Sequence, residues 1–438
     1  MFARTFKGGV HPPYFKKLTN KSAIKKLQAP LQVVVPLIQH TGSPCIPTVK
    51  AGDAVKVGTL IGNSDKFMSS PIHSSVSGNV KAITASAHPV IGKSDAVVIE
   101  SDGKDDMEKP SWAYKGSIDG LKPDDIKNII RQAGIVGLGG AAFPTHVKLS
   151  PPKEKPIDAF ILNGVECEPY LTCDERVMTE RPKDVLEGAL LIMKAVGAGK
   201  GYVAIEDNKP QAIDAMREAL GQPQIANYDL RLVVLPTKYP QGGEKPLIKV
   251  ILNREVPAGG LPFDVGCIVD NVQTALAVFE AVYKNKPLYE RVITVAGSVI
   301  KEPSNLLVRI GTPISYIIEK CGGLEEPPAK IIIGGPMMGI AQYLMEVPVI
   351  KGVSGILLLS KDEAREYEEG VCMRCGKCVE VCPMRLVPAT IMHLVKNERF
   401  AEAKEFGVAH CFECGACAYE CPARIPLLDY MKFGKSNI

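Results

Sequence analysis

The chain has 438 residues, 46% hydrophobic and 23% charged, with a formal net charge of +4. That length suits about three domains, or four small ones. So small a charge excess, with few aromatics and none interleaved with basic runs, argues against a nucleic-acid partner. No apolar run approaches the roughly 18 residues of a membrane-spanning helix. The N-terminal MFARTFKGGVHPP lacks the apolar core of a secretory leader, so a cytosolic protein is expected, free to sit on a membrane partner.

Residues 1–100 read as strands: LQVVVPLI, GTLIGN, GNVKAI and DAVVIE are short β-branched runs broken by Gly, Pro and Ser. VKAGDAVKVGTLIG followed by SSPIHSSVSGNVKAI resembles the hammerhead of a barrel-sandwich hybrid. The carrier lysine between two methionines is missing, so a structural module is expected over 1–110. The basic stretch 15–27, FKKLTNKSAIKKL, reads as a solvated surface. A polar linker covers 101–117. PDDIKNIIRQAG then places Ile126, Ile129, Ile130 and Ala133 on one helical face, with Asp124 and Asp125 in the first turn.

From there strands and helices alternate. DAFILN (158–163), GYVAIED and LRLVVLP are strands; KDVLEGALLIMKAVGAG, PQAIDAMREALG, GEKPLIKVILN and DNVQTALAVFEAVY are helices. Uniformly apolar strands in such an alternation predict a parallel sheet covered on both faces, over 118–286. Residues 288–350 return to short strands around the helix PISYIIEKCGG and resemble a β-grasp of the soluble-ligand-binding kind. Residues 360–438 carry two cysteine clusters with a helical segment between them.

Of thirteen cysteines, Cys45, Cys167, Cys173, Cys267 and Cys321 are scattered and read as reduced core or site residues. The other eight form CMRCGKCVEVCP and CFECGACAYECP, both C-x2-C-x2-C-x3-C-P. Three thiolates at that spacing wrap one cubane, and the fourth, before proline, ligates the other cluster. Cluster one is thus expected on Cys372, Cys375, Cys378 and Cys421, and cluster two on Cys411, Cys414, Cys417 and Cys382. Structural zinc takes four ligands, typically as two spaced pairs, and two complete four-cysteine sets each ending in Cys-Pro fit cubanes far better. His146 and His410 read as packing or hydrogen-bonding residues.

GIVGLGGAAFPTHVKL (134–149) matches a loose dinucleotide fingerprint, Gly137-x-Gly139-x-x-Ala142. A Rossmann loop follows a strand and opens a long helix. Here a helix precedes, and Pro144 and Ser150-Pro151-Pro152 leave room for one turn after it. The loop is therefore either an interdomain turn or a surface that lets a ring or a phosphate approach the backbone, with Lys148 as a cation. NGVECEPYLTCDER begins where the strand 158–163 ends, the usual place for a ligand in an open parallel sheet; Asn163, Glu166 and Glu168 stand there. YPQGGEK puts Gly242, Gly243 and Glu244 at a helix start, and VDNVQT puts Asn271 and Thr274 at another.

The blocks GLGGAAFPTHVK, NGVECEP, YPQGGEK and DNVQT, in that order, resemble the flavin- and NADH-binding subunit of respiratory complex I. The domain order resembles the C subunits of Rnf electron-transport complexes along the whole chain. That resemblance implies a multidomain α/β and α+β protein: barrel-sandwich hybrid, parallel-sheet flavin domain, β-grasp domain and two-[4Fe–4S] ferredoxin-like domain. It implies FMN lined by Gly137, Gly139, Gly140, Lys148, Asn163, Glu166, Gly243, Glu244, Asn271 and Thr274, with Ala141, Phe143, Glu168 and Tyr239 nearer NADH. Glu168 would orient the nicotinamide, and Lys148 would face phosphate or reduced-flavin charge. Departures from the complex I pattern are Leu138 for Arg, Ala142 for Gly, Val165 for Asp, Cys167 for Ser, Lys245 for a second Glu and Gln273 for Glu.

The resemblance further implies hydride exchange between NAD(H) and FMN and single-electron relay through two [4Fe–4S] clusters. The setting would be a peripheral subunit on the cytoplasmic face of a membrane complex that couples ferredoxin:NAD+ oxidoreduction to ion translocation, beside a ferredoxin-like iron–sulfur subunit. Two alternatives stand beside it. One is a soluble NADH-dependent flavin/iron–sulfur reductase of the cobalamin reductase type, whose carrier-like domain follows the clusters. The other is a non-catalytic electron-relay subunit.

Overall fold

The computed structural model describes residues 5–110, 112, 114 and 120–438. Of the expected linker, residues 111, 113 and 115–117 lie outside the described residues. Near the N-terminus an antiparallel sheet runs in the order Gln32–Pro36, Gly92–Ser101, Gly78–His88, Ala54–Val55. It shares a core with a three-stranded sheet of Ile46–Pro47, Leu60–Asn63 and Ile72–His73. Alternation sets its inner face: Val33 and Val35 pair with Ile99 and Val97, and all four are fully buried.

The first helix, Pro123–Gln132, starts on a proline with Asp124 and Asp125 in its first turn, where the missing N–H and the helix dipole suit them. It buries Ile126, Ile129 and Ile130, and Gly134 ends it at φ 68°. The central sheet is wholly parallel, in the order Leu230–Leu235, Lys200–Glu206, Ala159–Asn163, Cys267–Asn271. Phe160 and Leu162 join the core on one face with helices Pro182–Val196 and Val272–Lys284. Ile161 joins the core on the other face with Glu244–Leu252. Period-two alternation along an all-apolar strand thus serves two helix layers.

Where Pro182–Val196 crosses Val272–Lys284, a Cβ on Gly188 would overlap the carbonyl oxygen of Ala275. Gly188→Ala is expected to force the helices apart and cost about 3 kcal/mol. Urea unfolding of the two proteins checks this, and a loss under about 1 kcal/mol would contradict the close crossing.

Two elements escape the sequence reading. Cys173–Glu180 is a helix where the sequence reading placed no element, and Cys267–Asn271 is a strand directly abutting the helix Val272–Lys284. The β-grasp sheet has six strands: Lys25–Lys26, Ser304–Arg309, Glu290–Ala296, Gly355–Leu359, Lys330–Ile333 and Ile340–Gln342, with the helix Ile314–Lys320. Its edge strand therefore comes from the basic N-terminal stretch. That stretch is not all solvated surface either, since Lys16 is only 6% exposed. The last unit repeats itself. Gly376 and Gly415, at φ 79° and 76°, open the four-residue helices Lys377–Glu380 and Ala416–Tyr419, and longer helices Pro388–Lys396 and Leu427–Ser436 pack together behind them. Among the described residues no helix is long and apolar enough to cross a membrane.

Candidate functional site

The last unit sorts its eight cysteines into two groups. Cys372, Cys375, Cys378 and Cys421 line one cavity, and Cys382, Cys411, Cys414 and Cys417 line another. Each group takes three thiols from one motif and the fourth from the other. Gly376 and Gly415 make the reversal possible, because a left-handed residue between the second and third cysteines turns the backbone around the cavity. Four thiol donors around one space fit a [4Fe–4S] cubane in each case. Each group has one buried thiol, Cys378 and Cys414, but the rims differ. Cys375 is exposed, and Val371 and Met373 beside it are 91% and 64% exposed, whereas no thiol of the other, deeper group is exposed and Cys414 packs with Tyr239 of the flavin-type domain.

The glycine loop is held from three domains. Gly137 N–H donates to Phe143 O (2.8 Å), which closes the loop on itself. Leu138 N–H donates to Thr274 Oγ1 (3.0 Å), and Leu138 O accepts from the buried Arg291 guanidinium of the β-grasp sheet (3.1 Å). Thr41 of the barrel donates its hydroxyl to Ala141 O (2.7 Å). Gly139 rests on Asn271: an added Cβ would stand 2.7 Å from its Nδ2. A Cβ on Gly140 would meet nothing within 4 Å, and residues 139–141 are exposed. The loop thus presents bare backbone outward on a rigid base.

Beside it, Lys148 Nζ donates to Val269 O (2.5 Å) and pairs with Glu244 Oε1 (2.9 Å). Burial works against its charge, but Glu244 and Asp270 outweigh it, so its pKa lies above the usual lysine value. Asp270, pushed up to about 6 by burial, keeps one oxygen without a hydrogen-bond partner. Gln241, fully buried in the YPQGG turn, has neither amide atom paired. Both lie inside the YPQGGEK and DNVQT blocks, where the sequence reading picked out their neighbours Gly242, Gly243, Glu244, Asn271 and Thr274 instead. Asn163 and Asn271 are register partners at the sheet's carboxyl edge, and Asn163 Nδ2 donates to Gly242 O (3.0 Å). A cationic lysine, an open glycine backbone and unpaired buried amide and carboxylate atoms at one sheet edge suit a phosphorylated, polar-edged ring such as FMN.

The acidic residues are more committed than the sequence suggests. Glu166 caps the helix Cys173–Glu180, accepting from Asp174 N–H (2.7 Å) and Glu175 N–H (3.2 Å). Asp174 is in turn gripped by Asn271 Nδ2 (2.6 Å) and Gln273 Nε2 (2.8 Å). Gln273 thereby explains one departure, because a glutamate there would face Asp174. Val165 explains another: it lies in the apolar core with Ile161 and Leu247. Tyr239, expected near NADH, is fully buried and gives its hydroxyl hydrogen to Cys414 O (2.7 Å). It therefore reaches the deeper cysteine group while lying beside Glu168. Phe412 packs on Gly243 from the same side, 3.2 Å from where a Cβ would be. His146 is buried, with Nε2 on Phe67 O.

Glu168 accepts from Met337 N–H (3.1 Å) and Met338 N–H (2.9 Å), so both oxygens hold a β-grasp loop. Burial pushes its carboxyl up to about 7, against the pull of those two N–H groups. Between about 4.5 and 7 the folded chain therefore keeps a proton that the unfolded chain releases, and this group's contribution to stability falls as pH rises through that window, by roughly 3 kcal/mol. Glu168→Gln is expected to flatten the drop in Tm between about pH 5.5 and pH 8. Equal drops in parent and variant would contradict this.

Known proteins resemble this arrangement along the whole chain. Residues 4–104 match the RnfC barrel sandwich hybrid domain, 130–280 the Nuo51 FMN-binding domain, 292–341 the SLBB domain and 365–422 the 4Fe-4S dicluster domain. The C subunit of the proton-translocating ferredoxin:NAD(+) oxidoreductase complex of Clostridium ljungdahlii is 48% identical, over 91% of this chain and 86% of that one. Its counterpart in the Na(+)-translocating complex of Acetobacterium woodii is 47% identical over 88% and 86%. Among solved structures, an NAD+-reducing [NiFe]-hydrogenase shares the fold at TM-score 0.51 and 18% identity, over 72% of this chain and 63% of that one. With a thiol-lined pair of cubane sites, a glycine-loop flavin domain and relatives this similar over nine-tenths of its length, the chain belongs to the RnfC family, the C subunits of ion-translocating ferredoxin:NAD+ oxidoreductase complexes.

Proposed function

We propose that this chain is the NAD(H)-side oxidoreductase subunit of an Rnf-type complex. In this reading it passes electrons between NAD(H) and the other subunits, a ferredoxin-like iron–sulfur subunit among them, at the cytoplasmic face of the membrane. Bound FMN supplies the change from a hydride's electron pair to single electrons, which iron–sulfur clusters carry one at a time. The observation that carries the reading is the packing of the glycine-loop domain on the deeper cysteine group, through Tyr239 on Cys414 and Phe412 on Gly243.

The chain's own residues bind and orient. Lys148 holds anionic phosphate at the sheet edge, with Glu244 fixing its ammonium. Thr274, Arg291 and Thr41 keep the Gly137–Phe143 turn from moving when a ring lies on it. The exposed backbone at Gly139, Gly140 and Ala141, with Phe143 behind, offers a flat surface for the nicotinamide end of a dinucleotide. Gln241 offers an amide to a polar ring edge. The deeper cysteine group then stands between this site and the shallower one, whose exposed rim at Val371 and Met373 suits electron exchange with another subunit.

The test is an anaerobic NADH titration of the reconstituted chain, followed by flavin absorbance and by EPR. Bleaching with NADH but not NADPH, and two cubane signals under strong reductant, are expected. Chain that neither retains nor rebinds flavin would overturn the enzyme reading.

A further inference from the structure

Residues 6–16, FKGGVHPPYFK, come before every strand of the barrel in sequence. They lie across the junction between the flavin-type domain and the deeper cysteine group. Phe6 is buried in the core that holds Ile161 and Val165, and Lys238 Nζ donates to Phe6 O (2.9 Å). Gly8 has φ +82°, and a Cβ there would stand 2.8 Å from Val381 O and 2.9 Å from the carbonyl carbon of Cys382. Gly9, at φ +84°, donates its N–H to Val381 O (2.8 Å), and its own Cβ position is 2.7 Å from Tyr239 O. Val10 and Tyr239 exchange both backbone hydrogen bonds, at 2.8 and 2.9 Å. Farther on, Tyr170 N–H donates to Tyr14 O (2.8 Å), and the Lys16 ammonium donates to the carbonyls of Glu166, Glu168 and Leu171 at 2.8, 3.0 and 2.5 Å.

These contacts have a common direction. Val381 leads directly into Cys382, and Tyr239 carries the hydroxyl that reaches Cys414 O. Cys382 and Cys414 are two of the four thiols around the deeper cavity. The other end of the segment ties down the carbonyls of the 166–171 loop at the carboxyl edge of the parallel sheet. Two successive glycines in the left-handed region, each with its Cβ position under 3 Å from foreign backbone, mark the tightest approach. A buried ammonium with three carbonyl partners makes the far anchor stiff, because moving it would leave a buried cation without its hydrogen-bond acceptors.

We propose that residues 8–16 are a positioning strap that sets the separation and orientation of the deeper cysteine group relative to the glycine-loop site. This rests on the proposed electron route, and it adds that the route depends on a segment whose contacts run through backbone beside the cysteines and behind the site. Passage of single electrons between the two centres is steeply sensitive to their spacing, whereas reduction of the flavin by NADH is a local event at the loop. The Gly8–Val10 end of the strap therefore acts on the first and leaves the second alone.

Gly8→Ala in the full, reconstituted chain separates the two. Its Cβ must displace the Val381–Cys382 peptide by several tenths of an ångström. The expected result has three parts. NADH bleaches the flavin within about twofold of the parent rate. Reduction of the deeper cluster, followed by rapid-freeze EPR, slows on the order of tenfold, as a displaced reacting centre does elsewhere. Amide hydrogen exchange speeds up in 379–382 and 238–241 and stays unchanged in 372–376. Loss of the deeper cluster alone, with the shallower one retained, would also support the strap. Unaltered internal electron transfer and unaltered exchange would overturn it. Should Gly8→Ala not fold, Val10→Pro, which deletes the N–H given to Tyr239 O, carries the same test. If NADH fails to bleach the parent's flavin, the electron route is lost, while the exchange comparison still decides whether the segment clamps the cysteine group.

Discussion

Cys382→Ser will remove the deeper cluster and spare the shallower one, although Cys382 closes the first cysteine motif in the sequence. Cys382 lines the cavity of Cys411, Cys414 and Cys417, while Cys372, Cys375 and Cys378 are completed by Cys421 from the second motif. A serine at 382 leaves three thiolates for the deeper site, and a hydroxyl is a far harder, less acidic ligand for iron than a thiolate. Iron content is expected to fall from about eight to about four atoms per chain, and the EPR signal that survives is that of the cluster on Cys372, Cys375, Cys378 and Cys421. NADH should still bleach the flavin, because the glycine loop is untouched, but electrons should no longer reach the surviving cluster. Cys421→Ser is the mirror image: the shallower cluster goes and the deeper one still accepts electrons. Loss of the Cys372 group's signal in Cys382→Ser would show that each motif ligates its own cluster.

Much of this arrangement is legible in the sequence, for reasons that differ by region. The cysteine sets are legible because metal ligation fixes both residue type and spacing. The parallel sheet is legible because strands buried on both faces read as apolar runs, and Phe160, Ile161 and Leu162 serve both faces. The helix Pro123–Gln132 announces itself by its proline, its acidic first turn and its terminal glycine. What escapes is carried by contacts distant in sequence. The helix Cys173–Glu180 is masked by the buried polar residues Asp174, Glu175 and Arg176; its first N–H groups are capped by Glu166, and Asp174 is satisfied by Asn271 and Gln273, nearly 100 positions away. The link from Tyr239 to the deeper cysteine group is hidden because Cys414, which takes its hydroxyl hydrogen, lies 175 positions away. Lys16 reads as surface because nothing local reveals three carbonyls from the 166–171 loop. Arg291, in a different domain from the loop it supports, carries no motif at all.

Lys148→Met should damage flavin retention and stability together, and pH separates the two effects. Without the ammonium, Glu244 and the buried Asp270 face each other with no cation between them. Removing one partner of a buried pair costs about 3–5 kcal/mol. Glu244 is 36% exposed and partly solvated, so a stability loss nearer about 2 kcal/mol at about pH 8 is expected. The sign with pH follows from Asp270. Burial raises its folded pKa to about 6, and Lys148 is what holds it from rising further. Once Lys148 is gone, the folded chain keeps Asp270 protonated to higher pH, where the unfolded chain has released that proton. The variant's deficit is therefore greatest at alkaline pH and shrinks on acidification, as the carboxyl becomes neutral and no longer needs a counterion. Flavin binding has a different dependence. A charge-assisted hydrogen bond to phosphate contributes about 1.5–3 kcal/mol, so retention should weaken about ten- to a hundredfold even at about pH 6. Urea unfolding of flavin-free chain at about pH 6 and pH 8, beside FMN titrations at the same two values, checks both halves. A deficit independent of pH would mean that Lys148 does not stabilise ionised Asp270. Unchanged FMN affinity would mean that the phosphate lies elsewhere along the sheet edge.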